Sequence, residues 1–241
     1  QKDGVPWVPP APRMREYSAA VRAIFDCWQQ GAPLNFVGKH YRVTRQSAYN
    51  SPPKLATPEV PIHMGAIGPK MTELAGEIAC GILTHPTNST TRFVSERLLP
   101  NLHVGLAKAN RSADCVAVVV NPPLALGLST KEIRTRRESW RRLLAILFST
   151  PEYGASLELF GYDGLGAQLR KMIREGQWNE LHTCVSDELL DLFVLSSDYQ
   201  GLPGLLREQY QGLATGICLG LPQEDGSDRE LGRAIEEIQH L

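Results

Sequence analysis

The chain has 241 residues, of which 42% are hydrophobic and 21% are charged, and its formal net charge is −1. This composition is typical of a folded globular protein and excludes an intrinsically disordered chain. A net charge so close to zero provides no overall field that would attract nucleic acid or an anionic membrane. No apolar stretch approaches the roughly 20 residues that a membrane-spanning helix needs. We therefore predict a single domain over residues 1–241.

The cysteines and histidines argue against a disulfide framework and against a metal site. The five cysteines are odd in number, widely spread and never in a Cys-x-x-Cys pair, which argues against a disulfide framework and favours a reducing cytoplasm. The six histidines show no spacing typical of metal ligands, so we predict no dedicated metal site. The N-terminus lacks the apolar core of a signal peptide and begins without Met, from which we expect a processed chain or a piece of a longer one.

The first quarter of the sequence predicts a helix and a hairpin between loops. Residues 1–12 are rich in proline and predict a loop. Over residues 13–30 apolar side chains recur every three or four positions, which predicts an amphipathic helix. The segment 36–43 alternates around a glycine and predicts a small hairpin. A proline-rich loop over 46–60 then leads to the first strongly apolar strand.

Strands and helices alternate in the rest of the sequence. Strands are predicted at 61–65, 81–85, 115–127 and 216–222, and the helical segments are 69–79, 91–109 and a long region from Thr130. Alternation of this kind favours βαβ units and a parallel sheet, in which the loops that follow the strands share one face. The fold class is therefore α/β. Three or four such units are too few for a closed (β/α)8 barrel of about 250 residues, so we expect an open sheet or part of a barrel.

A glycine-rich turn joins the first of these strands to the following helix. Gly65 and Gly68 have no Cβ and let the backbone approach a ligand, and Pro69 suits the first helical position. The free amides at a helix start favour an anion, and Lys70 in the first turn indicates an anionic partner. The residues alone leave two interpretations open, a phosphate site or a plain connection. The pattern is not G-x-G-x-x-G, so a Rossmann dinucleotide site is a weaker alternative.

Two more residues are candidates for a pocket on the same face. His85, with Thr84 and Asn88, ends the second strand of the alternating series. It could line a pocket and transfer protons, or it could be a hydrogen-bonded loop residue. Tyr153 belongs to a turn over 149–154 and could cover a ligand or simply pack.

The helical segment 131–142 contains six basic residues. We predict a solvated helix face there. The alternative, nucleic-acid binding, needs an aromatic context that Trp140 alone does not supply. We expect neither nucleic acid nor a membrane as a partner.

Several segments carry a resemblance to a known family. They are RMREYSAAVRAIFDCW followed by FVGKHYRV, then PIHMGAIGPKMTELAGEIACGIL, and later STPEYGASLELFGYDG and LRKMIREGQWNELHTCVSDELLDLFVL. In this order they resemble the luciferase-like monooxygenase family, and more narrowly its coenzyme F420-dependent oxidoreductases. The shared motifs are an F-x-G-x-x-Y hairpin, a G-x-x-G-P turn and a helix of the form LAGExADG. The resemblance extends over about residues 13–222.

The resemblance implies a fold, a cofactor and a site. The fold would be the C-terminal portion of a bacterial-luciferase-like (β/α)8 TIM-type barrel, without the N-terminal part that supplies the family's catalytic residues. Catalytic positions therefore stay unknown in this chain. The cofactor would be F420, or alternatively FMN, and the substrate a small organic molecule near His85 and Tyr153. The phosphate end of the cofactor would lie on Gly65, Ala66, Ile67, Gly68, Pro69 and Lys70.

The chain departs from the family pattern at two places. The family's Ala-Asp-Gly is replaced by Ala79-Cys80-Gly81, from which we expect a weaker helix cap. The usual Gly-Thr-Pro is replaced by Ser196-Ser197-Asp198, which we expect to alter cofactor contacts in a loop on the site face.

Two functions follow from the resemblance. The first is an F420- or flavin-dependent oxidoreductase of the luciferase-like kind, incomplete as given. Because part of a barrel exposes unpaired strand edges, the alternative is a non-catalytic partial-barrel protein. Such a protein would associate with itself as a homo-oligomer, or pair with an N-terminal half-barrel.

Overall fold

The computed structural model describes residues 7–47, 49, 51–57, 59–221 and 226–239. Its helices are α1 Pro10–Gln30, α2 Pro69–Ile78, α3 Thr91–Phe93, α4 Leu99–Lys108, α5 Thr130–Leu147, α6 Gly154–Glu158, α7 Leu165–Arg174, α8 Asp187–Phe193, α9 Leu202–Tyr210 and α10 Ser227–Ile238. Its strands are β1 Phe36–Val37, β2 Arg42–Val43, β3 His63–Gly65, β4 Gly81–Leu83, β5 Ala117–Val120, β6 Leu124–Leu126, β7 Leu195–Ser197 and β8 Gly216–Ile217. Within these ranges, no helix combines the length and apolar character that crossing a membrane requires.

A four-stranded parallel sheet lies at the centre, with the strand order β3-β4-β5-β8. Met64 pairs with Ile82, and Ile82 pairs with Val118 on its other side. Strands β6 and β7 form a separate parallel pair, and β1 and β2 form the predicted antiparallel hairpin. The prediction of an α/β fold with a parallel sheet is therefore confirmed. Among the described strands the sheet stays open, and no barrel closes.

One face of the central sheet is covered by α2 and α4. Met64, Ile82 and Val118 point to this face and are almost fully buried against the two helices. Two glycines bring the helices into backbone contact. A Cβ on Gly105 would lie 1.9 Å from the carbonyl oxygen of Glu73, and a Cβ on Gly76 would lie 2.3 Å from the carbonyl oxygen of Leu102. Only glycine fits at these two positions.

The opposite face of the sheet is uncovered in the described part of the chain. Side chains alternate across a strand, so the neighbours of the buried residues point to this face. His63 and Leu83 are exposed there, although β4 is bonded on both edges. The ring of His63 lies over Gly81, where a Cβ would come within 2.7 Å of it. Within the described ranges, β3 is paired along one edge only.

Two further cores lie beside the sheet. Helices α5, α7 and α8 enclose an apolar cluster in which the rings of Phe148 and Phe193 meet edge to face, with centroids 4.9 Å apart. Helices α9 and α10 pack against β5 and β6 through side chains such as Leu202 and Leu231. Ser186 caps α8 by accepting a hydrogen bond from the amide of Leu189.

The start of α1 corrects the predicted N-terminal loop. Residues 1–6 lie outside the described part of the chain. Helix α1 begins at Pro10, so the loop prediction over 1–12 is wrong for its last three residues. Pro10 and Pro12 fit because the amides of the first helical turn have no partner inside a helix.

The predicted helix over 91–109 is interrupted by a π-helical turn, Val94–Leu98. Pro100 follows this turn and has no amide hydrogen to donate to the preceding turn. The amide of Leu99 instead donates to the carbonyl of Val94, five residues earlier. Phe93, Leu98 and Leu102 are buried across the junction.

Two predicted strands differ in extent from the structure. The segment 115–127 forms β5 and β6 with Pro122 between them, and the two strands belong to different sheets. Pro122 has no amide hydrogen to donate to a neighbouring strand, which explains the break between β5 and β6. The strand predicted over 216–222 is regular only at Gly216–Ile217, and Pro222 lies outside the described residues.

The basic segment 131–142 is only partly a solvated face. Arg141 is 9% exposed and binds the carboxylates of Glu138 and Asp187 and the carbonyl of Val185. Arg137 donates to Asp191 of α8 at 2.6 Å. These arginines attach α5 to α8, so the expectation of a purely solvated face is wrong for them.

Candidate functional site

The turn between β3 and α2 has an open backbone. Gly68 is the N-cap residue of α2, with φ −82° and ψ 157°, and no side chain caps the helix. The amides of Gly68, Lys70 and Met71 have no partner inside the helix because they belong to its first turn. A Cβ on Gly65 or Gly68 would meet no atom within 4 Å. The turn therefore offers free donors and the room for a ligand to approach them.

The carbonyl side of this turn is held in place. The hydroxyl and the amide of Thr72 donate to the carbonyl of Gly68 at 3.1 and 3.0 Å. The side-chain amide of Asn88 donates to the carbonyl of Ala66 at 3.4 Å. Ala66 is itself 5% exposed. The turn is thus anchored to its own helix and to the loop that follows β4.

Lys70 has a carboxylate partner in its own helix. Its Nζ lies 2.9 Å from Oε1 of Glu73, and Lys108 of α4 binds the other carboxylate oxygen. Hydrogen bonds from Lys108 and Lys70 lower the pKa of Glu73 below its usual 4.5. The side chain of Lys70 is 78% exposed. Its positive charge is therefore explained without a ligand, and the amides are the stronger anion-binding feature of the turn.

His85 begins a tightly bonded loop after β4. Its amide donates to Oδ1 of Asn88 at 2.7 Å, and its ring Nδ1 lies 2.9 Å from the hydroxyl of Thr87. Burial lowers the pKa of the imidazole below 6.5, which favours the neutral ring. The other ring nitrogen, Nε2, makes no hydrogen bond to the described residues. A neutral imidazole with one uncommitted nitrogen can accept or donate a proton at that atom.

The structure brings the two predicted pocket residues together. The rings of His85 and Tyr153 are stacked, with centroids 4.5 Å apart and planes 12° apart. Tyr153 belongs to the turn Pro151–Tyr153 before α6. The stack fixes the plane of the imidazole and shields one of its faces from water.

Buried hydroxyls hold the loop after β4 to its neighbours. Thr84 and Ser89 are hydrogen-bonded to each other, and both accept from the amide of Asn121 at the end of β5. Tyr210 of α9 donates its hydroxyl to the carbonyl of Ser89 at 2.7 Å. Burial raises the pKa of this phenol, so it stays protonated and remains a donor. Sequence reasoning singled out His85, Thr84 and Asn88 but missed Tyr210, because a partner 121 residues away leaves no local signal.

The replacement at Ala79-Cys80-Gly81 leaves the end of α2 capped by other residues. Arg111 donates to the carbonyls of Gly76 and Ala79, both at 2.7 Å, and Arg22 donates to the carbonyl of Ile78 at 2.5 Å. Cations suit the C-terminal end of a helix. Two guanidinium groups therefore satisfy the carbonyls, and the expected weak cap does not follow.

The segment Ser196-Ser197-Asp198 is not wholly a loop. Ser196 and Ser197 belong to β7 and pair with Ala125 and Leu126 of β6. Asp198 accepts a hydrogen bond from the amide of Gly201 at 2.7 Å and so prepares the start of α9. The expectation of a loop is therefore wrong for the two serines, whereas altered cofactor contacts there stay a prediction.

Several known proteins are similar to this chain over most of its length. The sequence model of the luciferase-like monooxygenases matches residues 1–215. An uncharacterised protein of Mycobacterium tuberculosis is 32% identical over 209 residues, which are 87% of this chain and 61% of that protein. The 5,10-methylenetetrahydromethanopterin reductase of Archaeoglobus fulgidus is 24% identical over 92% of this chain and 64% of its own length. An F420-dependent glucose-6-phosphate dehydrogenase of Nakamurella multipartita is 31% identical over 64% of this chain and 43% of its own length.

Solved structures show the fold. The coenzyme F420-dependent tetrahydromethanopterin reductase of Methanopyrus kandleri superposes with a TM-score of 0.72 at 21% identity, covering 100% of this chain and 66% of that one. An F420-dependent secondary alcohol dehydrogenase superposes with a TM-score of 0.66 at 13% identity, covering 97% of this chain and 64% of that one. The expected luciferase-like architecture is confirmed at the level of fold. The chain spans about three fifths of the length of the first curated relatives it matches.

Proposed function

The chain belongs to the luciferase-like monooxygenase family, and from this premise we propose that it serves an oxidoreduction that uses coenzyme F420 and a small organic substrate. The support comes from the relatives and solved structures whose names state F420 dependence. When bound, F420 supplies the hydride chemistry, and the protein positions the reactants and excludes water. We assign the reaction to the cytoplasm on the cysteine pattern of the sequence.

The phosphate end of the cofactor belongs at Gly65, Ala66, Ile67, Gly68, Pro69 and Lys70. The observation that carries this assignment is the uncapped start of α2 beside open space at both glycines. A phosphate oxygen there accepts hydrogen bonds from the amides of the first helical turn and lies at the positive end of the helix dipole. FMN, which also carries a phosphate, is the alternative occupant.

In the same proposal, His85 and Tyr153 lie beside the substrate. The stacked phenol ring holds the imidazole, and burial keeps that imidazole neutral near pH 7. Since Nδ1 accepts from the amide of Thr87, the neutral ring carries its proton on Nε2, which can donate it to a bound ligand, or accept a proton from a bound alcohol after a tautomer change. The roles of these two residues are to orient the substrate and to hold or pass a proton at Nε2.

A fluorescence titration of the purified chain with F420, and separately with FMN, tests the cofactor site. We expect saturable F420 binding, weakened at least tenfold in Gly68→Val because the new side chain fills the approach to the amides. Gly164→Val is the matched control, since Gly164 is also an N-cap residue with open space at its Cβ position. Absence of F420 binding by the folded chain would refute the proposal. Preferential binding of FMN would replace the cofactor and keep the site.

The second candidate function is association through the uncovered face of the sheet. The observation in its favour is the exposure of His63 and Leu83 on that face, next to the open edge of β3. An uncovered sheet face beside an unpaired strand edge is a surface on which proteins pair. We propose a second copy of this chain as the occupant, because the backbone amides and carbonyls at the unpaired edge of β3 in one copy could bond to those in the other. Pairing with a complementary half-barrel is the other outcome.

Sedimentation velocity over a range of concentrations tests association. We expect a concentration-dependent dimer that Leu83→Arg disrupts, because it places a charge in the contact. Leu192→Arg is the matched control on α8, where the leucine is exposed to a similar degree. A monomer at all concentrations would exclude self-association.

A further inference from the structure

A cavity of about 350 Å³ opens where several strands of the molecule end. Pro86 follows β4, Asn121 follows β5 and Cys218 follows β8, and all three line it. Ligand sites of α/β sheets lie at the carboxyl ends of the strands. Pro86 is also the residue next to His85, so the cavity adjoins the candidate substrate side. Its volume suits a molecule far smaller than a dinucleotide.

Most of the cavity wall is apolar. Leu124 and Leu126 of β6 form one part of it, and Trp140 and Leu143 of α5 form another. The indole N–H of Trp140 already donates to the carbonyl of Leu124 at 2.9 Å. The ring of Trp140 therefore offers the cavity apolar surface rather than a donor. A ligand with an apolar body, and especially one with a ring, fits these walls.

Two polar groups in the wall have no hydrogen-bond partner among the described residues. Tyr199 is 4% exposed and lines the cavity, yet its hydroxyl makes no hydrogen bond to any described residue. The side-chain amide of Asn121 is likewise without a partner among the described residues, while its backbone is fixed by Thr84 and Ser89. Neither group is sealed from solvent, so both are open to the cavity, where a ligand can replace the water that they bind. A phenol and an amide N–H₂ can both donate, so an oxygen acceptor such as a carbonyl satisfies them.

The cationic residue of the wall does not change this assignment. Arg136 lines the cavity as well, and it is already engaged in an interaction of its own. The uncommitted groups among the described residues of the wall are thus a phenol, an amide and a thiol. Together with the apolar walls, they select against a strongly hydrated anion such as a sugar phosphate.

We propose that this cavity binds a small, neutral, mostly apolar ketone, whose carbonyl oxygen accepts from Tyr199 and Asn121 while its hydrocarbon part lies against Trp140 and Leu143. The inference rests on the proposed function, in which such a molecule is the substrate. It goes further by naming the chemical class and the residues that recognise it. Binding to the cavity does not require the cofactor, so the two proposals can fail separately.

The thiol of Cys218 provides a local reporter for the experiment. Cys218 is half-buried in the wall, whereas Cys115 is exposed at a distance from it in sequence and gives an internal reference. The chain is treated with N-ethylmaleimide without F420, and alkylation at each cysteine is followed by mass spectrometry. Acetophenone is the probe, ethylbenzene is the same ring without the carbonyl, and glucose 6-phosphate is the anionic comparison.

We expect acetophenone to slow alkylation of Cys218 at least tenfold at saturation and to leave Cys115 unchanged. Tyr199→Phe should weaken protection by acetophenone about tenfold and leave that by ethylbenzene unchanged, since it removes one hydrogen bond. Tyr162→Phe, a change outside the cavity wall, is the matched control. Unfolding temperatures of both variants should equal that of the parent chain, because the Tyr199 hydroxyl has no partner among the described residues.

Three results would overturn the proposal. They are equal protection by glucose 6-phosphate, no protection by any probe in a folded chain, and unchanged acetophenone protection in Tyr199→Phe. The separate F420 titration reports on the proposed function. F420 binding without ketone protection refutes the substrate class alone, whereas ketone protection without F420 binding refutes the cofactor and keeps the cavity.

Discussion

The two faces of the central sheet differ in how far helices cover them. On one face, Ile82 is 0% exposed beneath α2 and α4, whereas its neighbour Leu83 is 36% exposed on the other face. On the covered face, α2 and α4 pack closely because Gly76 and Gly105 let their backbones touch. The open turn at Gly68 follows the end of β3, next to the uncovered face. One set of short strands thus separates the part of the molecule that stabilises it from the part that is free to bind.

The largest effect should come from shortening a side chain on the covered face. Ile82→Ala removes buried methyl groups and leaves a cavity, so we expect the free energy of unfolding to fall by about 3–4 kcal/mol. Leu83→Ala, one residue further along the same strand, should cost less than about 1 kcal/mol. Urea denaturation at a concentration of chain low enough to keep it monomeric measures both. Equal losses would mean that the two faces are equally covered.

A slightly smaller effect should follow from separating the two helices. Gly105→Ala places a Cβ against the carbonyl of Glu73, and we expect a loss of about 2–3 kcal/mol from the resulting displacement. Gly232→Ala is the control in α10, where a Cβ meets nothing and alanine should stabilise the helix by roughly 0.5–1 kcal/mol. Thermal unfolding distinguishes them. A tolerated Gly105→Ala would contradict the backbone contact.

A pH-dependent effect should appear at the outer side of the same helix pair. Hydrogen bonds from Lys108 and Lys70 lower the pKa of Glu73, so its stabilising contribution is complete above the usual value of 4.5. That contribution is lost as the pH falls through the lower folded value. In Glu73→Gln the drop of unfolding temperature between about pH 6 and about pH 3 should be smaller. Glu96→Gln removes an exposed ion pair with Arg92 and should leave the pH profile unchanged.

The smallest effect should come from the titration of His85, which follows β4. Burial lowers the pKa of His85 below 6.5, so the unfolded chain binds a proton at higher pH than the folded chain. Stability should therefore decrease as the pH falls from 6.5 towards the folded value. Tyr153→Ala removes the stacked ring and should move the pKa of His85 towards 6.5, as read from its ring resonances by NMR. Tyr17→Ala, at an exposed tyrosine, should not shift it, and an unshifted His85 in Tyr153→Ala would show that the stack does not shield the ring.

Local patterns in the sequence predicted much of this architecture. Apolar periodicity located α1, the alternation of strands and helices located α2, and the alternating segment at 36–43 located the hairpin. These features depend on residues that are neighbours in the chain. The turn at Gly65–Gly68 was found for the same reason, since glycine and proline act on their own backbone.

Other features depend on partners that the chain brings together from far away. Sequence periodicity gave no sign that Arg111 would cap α2 or that Arg141 would be buried against α8. The stack of His85 on Tyr153 and the unpartnered hydroxyl of Tyr199 likewise arise only when separate helices meet the sheet. The short strand β7 was missed because its pairing with β6, rather than any β-branched run, makes it a strand.

The hydrogen bond from Tyr210 to Ser89 has a consequence for the order of folding. It joins residues 121 positions apart, so the loop after β4 is completed only once α9 has docked. Contacts of such high sequence separation carry the entropic cost of closing a long loop and form late. During synthesis on the ribosome, β3, β4, β5 and the covering helices α2 and α4 emerge before Tyr210, whereas β8 follows it. The candidate substrate side of the molecule is therefore among the last parts to assume its final shape.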